Sequence, residues 1–75
     1  MQQYENLGRD SGVVAYEITS DSITVQFRDG SLYLYNYNRP GAEAVEHMKS
    51  LAVAGRGLNS YISRIVRKNF AQKIR

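Results

Sequence analysis

Ile23, Val25 and Phe27 alternate with Thr24, Gln26 and Arg28, a period of two that predicts a strand over 22–28 with one apolar face. Upstream, Val14, Tyr16 and Ile18 keep the same period and predict a strand over 13–18, closed by turn-forming Thr19-Ser20-Asp21. Downstream, Arg28-Asp29-Gly30 is a hairpin signal, because Gly30 can take the positive φ such turns require. An aromatic third strand follows over 31–38. The period then lengthens. Pro40 suits a first helical turn, Glu43 and Glu46 suit a helix N-terminus, and Val45, Met48 and Leu51/Ala52 recur at helical spacing up to Gly55-Arg56-Gly57. A second helix is expected from Leu58 or Asn59, with Asn59 as its N-cap. Leu58, Tyr61, Ile62, Ile65, Val66 and Asn69 form its apolar arc, and Ser60, Arg64, Arg67 and Lys68 its polar one. The expected fold is α+β: a three-stranded antiparallel meander followed by two helices packed on one sheet face. Residues 1–12 read as a flexible arm, 13–70 as a single domain and 71–75 as a frayed basic tail.

Tyr33, Tyr35 and Tyr37 share one face of the third strand, and the hairpin register decides which face that is. A two-residue turn at Asp29-Gly30 pairs Phe27 with Leu32 and Val25 with Leu34, leaving the tyrosines on the open face, where they could stack bases. A three-residue turn over 28–30 pairs Val25 with Tyr33 and Ile23 with Tyr35. The tyrosines then join the core, and Leu32 and Leu34 face outward. The alternation is compatible with both.

Charge separates the chain into two parts. Residues 1–55 carry −3, whereas residues 56–75 hold Arg56, Arg64, Arg67, Lys68, Lys73 and Arg75 with no acid, giving +6. The basic positions Arg56, Arg64, Arg67 and Lys68 are the candidate phosphate contacts of a nucleic-acid site, with Arg39 as a candidate stacking group. The ordinary alternative is a solvated helix face whose cations suit the helix C-terminus. Gly55-Arg56-Gly57 lacks the remainder of a phosphate-loop motif and reads as a turn between helices.

Catalytic chemistry has little to build on. The chain has no cysteine, which removes thiolate nucleophiles, disulfides and cysteine-based zinc sites and fits a reducing cytoplasm. His47 is the one histidine, without a second imidazole or a nucleophile elbow nearby, and reads as a surface residue. No enzyme, metal or cofactor is expected. The N-terminus lacks the basic and apolar runs of a signal peptide, and no apolar run approaches the roughly 20 residues that cross a bilayer. A cytoplasmic protein without a membrane partner is expected.

The ordered set Ser11, Tyr16, Val25-Gln26-Phe27, Gly30, Tyr33-Leu34-Tyr35, Pro40, Gly57-Leu58-Asn59 and Ile62 resembles the KTSC domain, named after the lysyl-tRNA synthetase C-terminus and also found as stand-alone bacterial proteins. The resemblance covers about four-fifths of the chain, 11–70. The chain departs from the pattern by one extra residue between Tyr35 and Pro40, and by Leu58 in place of an aromatic residue. The resemblance implies structural roles for Tyr33, Tyr35, Gly57 and Asn59, favours the three-residue turn, and implies RNA as a partner; it supplies no catalytic residue. Two functions are therefore expected to compete. One is an RNA-binding module using a basic C-terminal helix, with Arg39 or exposed tyrosines as stacking groups. The other is a protein-interaction module, a weak homodimer or a subunit docked on a larger protein, using Leu32, Leu34 and Val13 on the open sheet face and an unpaired edge strand.

Overall fold

The computed structural model describes residues 1–7 and 12–75; Ser11, one of the residues carrying the resemblance, lies outside them. Its centre is the hairpin of β3 (Ser22–Phe27) and β4 (Leu32–Asn36). Ile23 pairs with Tyr35 and Val25 with Tyr33, so the connection is the three-residue 28–30 turn. Gly30 takes φ 90°, and the turn is closed by Phe27 N–H to Ser31 O at 2.9 Å and Gly30 N–H to Phe27 O at 2.9 Å. Asp29 Oδ1 accepts from both the N–H and the hydroxyl of Ser31, at 3.0 and 2.7 Å. This register sends Tyr35 into the core at 1 % exposure and leaves Leu32 and Leu34 half-buried on the other face.

In β2 (Val13–Ile18) the alternation misleads. Val13 pairs with Phe27 but Ala15 with Gln26, so Val14 is the extra residue of a bulge. Val13 is consequently 1 % exposed and Val14 38 %, the reverse of the expected assignment. Of Val14, Tyr16 and Ile18, Tyr16 alone is buried, and Val13 belongs to the core and not to the open face.

Among the described residues the sheet has five antiparallel strands in the order β1-β2-β3-β4-β5, two more than expected. Both additions come from segments read as loose. β1 (Gln2–Gln3) pairs with β2, and the next residue, Tyr4, is only 3 % exposed. Its N–H donates to Val14 O at 2.9 Å, and its hydroxyl oxygen accepts the Leu58 N–H at 3.3 Å, which ties the N-terminal residues to the start of the second helix. Leu7 N–H donates to Gly55 O at 2.7 Å. At the other end, β5 (Gln72–Lys73) pairs with β4, with Ala71 N–H on Leu34 O and Ile74 N–H on Leu32 O, both 2.8 Å. The edge of β4 is therefore occupied. The sheet ends in strands of two residues each, the length at which edge pairing is blunted.

α1 (Ala42–Ala54) starts after Gly41 and leaves Pro40 outside, paired in a bridge with Asn36. It buries Val45, Met48 and Ala52 and ends at Gly55, whose φ of 79° lets its N–H close on Ala52 O and Leu51 O. α2 (Leu58–Tyr61) begins directly after Gly57 with no side-chain cap, so Asn59 lies inside the helix and not at its N-cap. From Tyr61 the chain widens into a π-helical stretch, Ile62–Val66, closed by Arg67 N–H on Ile62 O. Leu58, Ile62 and Val66 face the core, whereas Ile65 is 66 % exposed and Asn69 is exposed as well, against the expected arc. The helices cover Val13, Tyr16, Ile23, Val25 and Tyr35 from one side.

Candidate nucleic-acid interface

At the hairpin end of the sheet the helical cover stops short and aromatic rings fill the gap. Phe27 and Tyr33 lie on the core face near the turn, and Phe70 returns to them after the second helix. Phe27 and Tyr33 meet edge to face with centroids 5.6 Å apart and planes at 84°; Tyr33 and Phe70 meet at 4.8 Å and 68°. These half-buried rings, with Tyr35 and Ile62 beneath, floor an open groove of about 440 Å³. Arg28, Arg67 and Lys68 line its rim, with Asp29 as the one acidic lining residue among the described residues. Lys73 Nζ stands 5.7 Å from the Tyr33 ring centroid, within cation–π range.

Arg67 reaches the groove through an uncommon backbone. It ends the π-helical stretch at φ 54°, ψ −123°, a region that a residue with a Cβ enters at a cost of roughly 1–3 kcal/mol. π turns and strained non-glycine residues each recur at functional sites, and here both stand at the edge of one groove.

The electrostatics hold these roles in place. The Ser31 hydroxyl and then the Ser31 N–H keep the Asp29 carboxyl below its ordinary range, so the tip of the turn stays anionic. Burial, with a smaller contribution from Tyr33, pushes the Tyr35 phenol up to about 12 and keeps it neutral. The exposed Tyr37 has other partners: its hydroxyl donates to Glu46 Oε2 at 2.7 Å, the same oxygen that Lys49 Nζ reaches at 2.7 Å. Lys49 also donates to Ser20 O at 3.0 Å, so this group latches α1 to the β2–β3 turn.

The sequence-predicted cations divide. Arg67 and Lys68 come together at the groove, yet not on a helix face, since the helix has ended at Val66. Arg56 stands exposed between the two glycines, Arg64 is exposed on the π-helical stretch, and neither lines the groove. Arg39 is exposed and donates from Nε to Asn69 Oδ1 at 2.8 Å, tethering the loop before α1 to the segment after Val66. Sequence reasoning missed Arg28, Phe27 and Phe70 as site residues. In the sequence Arg28 reads as part of the turn and Phe27 as part of the apolar strand face; a basic residue beside a hairpin tip is the available signal. Tyr33 is structural and groove-lining at once. His47 faces the ring of Tyr61 at 4.5 Å. Among the described residues no cluster of three His, Cys, Asp or Glu could hold a metal ion, and no helix is long and apolar enough to cross a membrane.

No family model, no curated protein and no solved structure matches the chain.

Proposed function

We propose that this chain is a small non-catalytic module that binds single-stranded RNA in the groove at the hairpin end of its sheet. The observation that carries the reading is convergence: Phe27, Tyr33 and Phe70 supply an aromatic floor, and Arg28, Arg67 and Lys68 supply cations at its rim. Bases stack on aromatic faces regardless of sequence, while Arg and Lys neutralise the backbone and release counterions. A paired A-form helix keeps its bases inside, so the aromatic floor favours unpaired nucleotides. The resemblance to the KTSC domain leads to the same class of partner. The protein-interaction alternative has less support, because β5 occupies the edge of β4 and Val13 lies in the core.

Fluorescence anisotropy of a labelled single-stranded RNA tests the reading with two triple variants. Arg28→Ala/Arg67→Ala/Lys68→Ala should abolish binding at roughly 50 mM salt, where electrostatic contacts are strong. Arg39→Ala/Arg56→Ala/Arg64→Ala removes the same formal charge outside the groove and should retain most of the affinity. Equal losses would reduce the effect to net charge. A parent that binds no RNA at low salt would overturn the reading.

A further inference from the structure

The groove does not end at the turn. Beyond it lies a second depression of about 410 Å³, lined by Asp29, Gly30, Ser31, Lys73 and Arg75. Asp29 and Ser31 line both hollows, so the hairpin tip is a low divide between them. Each is within the size range of a small-molecule site. The cations of the second hollow are placed by backbone pairing: Ile74 N–H donates to Leu32 O at 2.8 Å and Leu32 N–H to Arg75 O at 3.0 Å. Lys73 pairs with Tyr33 and holds its ammonium over the Tyr33 ring, which also belongs to the first hollow.

The sign of charge along this track alternates. Arg28, Arg67 and Lys68 line the first hollow, the Asp29 carboxylate belongs to both, and Lys73 and Arg75 line the second. A phosphate is repelled at the tip and attracted on both sides. A base edge is the reverse: its N–H donors suit a carboxylate acceptor. Asp29 Oδ1 accepts twice from Ser31, which fixes the orientation of the carboxylate at the tip.

We infer that the two hollows are one binding track, in which a single RNA strand crosses the hairpin tip with one phosphate at Arg67–Lys68, the next at Lys73–Arg75, and the base between them presented to Asp29. This rests on the proposed RNA-binding role of the groove and adds a minimum ligand length and a job for the C-terminal strand. A mononucleotide can occupy one phosphate position; a strand of two or three nucleotides occupies both.

The test is affinity as a function of length, measured by calorimetry with 5′-phosphorylated mono-, di- and triuridylate and the full chain. Occupying the second phosphate position adds charge-assisted hydrogen bonds, so the dinucleotide should bind about tenfold tighter than the mononucleotide. In Arg75→Ala, whose side chain is exposed and lines only the second hollow, that length step should shrink several-fold while mononucleotide affinity stays at the parent value. Unchanged melting would show that β5 still pairs. Binding that shows no length step, or a step that survives Arg75→Ala in full, overturns the track but leaves the groove reading intact. Triuridylate binding that is indifferent to Arg67→Ala/Lys68→Ala overturns the groove reading, and the track falls with it.

Discussion

Arg67 offers the sharpest test, because one side chain should oppose stability and serve binding. Its φ of 54° and ψ of −123° cost a residue with a Cβ roughly 1–3 kcal/mol, a cost that glycine does not bear. Arg67→Gly removes that strain but adds about 0.5–1 kcal/mol of chain entropy to the unfolded state. The net should be stabilisation by about 1 kcal/mol, which in a domain of this size raises Tm by about 4–8 °C. Arg67→Ala is the control: it deletes the same charge and keeps the Cβ, so it should leave Tm nearly where it was. Both variants lose one phosphate contact, so the slope of log K against log salt should fall by about 0.7 for a single strand. Thermal melting by circular dichroism and anisotropy titrations at several salt concentrations supply the two readouts. If Arg67→Gly melts no higher than Arg67→Ala, the strain argument is wrong. If neither variant weakens RNA binding, Arg67 is not held there for the ligand.

Three further outcomes follow from the packing. Tyr4→Phe leaves the buried Leu58 N–H without its 3.3 Å acceptor and should destabilise by about 1–3 kcal/mol, visible as a shift in urea midpoint; an unchanged midpoint would show that the N-terminal strand is not integral. Tyr35 has a folded value of about 12 against 10.0 when exposed, so the folded state retains a proton that the unfolded state loses; stability should be full below pH 10, decline between pH 10 and 12, and decline less in Tyr35→Phe, as read by denaturant titration across that range. Gly55→Ala places a Cβ 2.9 Å from Glu5 Cβ at a φ of 79°, and should lower Tm by several degrees, about 1 kcal/mol or more for the backbone alone; an unshifted melt would mean the N-terminal segment does not close over the α1 terminus.

Periodicity alone was enough for the class and for most of the central elements. The alternation of Ile23, Val25 and Phe27, the helical spacing of Val45, Met48 and Ala52, and Gly55 as a terminator are local facts, and local propensity expresses them. The resemblance favoured the three-residue turn and buried Tyr35, and the register agrees. Three things were not local. The bulge that exchanges Val13 and Val14 exists because β2 must stay in step with β3, a constraint written in the partner strand. The two edge strands are too short and too polar to announce themselves; Gln2–Gln3 and Gln72–Lys73 are strands because β2 and β4 present unpaired backbone to them. The π-helical stretch turns Ile65 out and ends the helix at Val66, so the cations expected on one helical arc separate.

Charge followed the same division. The sequence by itself established that the last twenty residues carry six cations and no acid, the pattern from which a polyanionic partner is proposed. It could not say which cations act together. Arg28 and Arg67 are far apart in the chain and meet at one groove because the β3–β4 turn, the π-helical end and the returning Phe70 pack around the same tyrosine. Composition sums over residues, whereas a site depends on distances between them, and those distances are set by the tertiary packing.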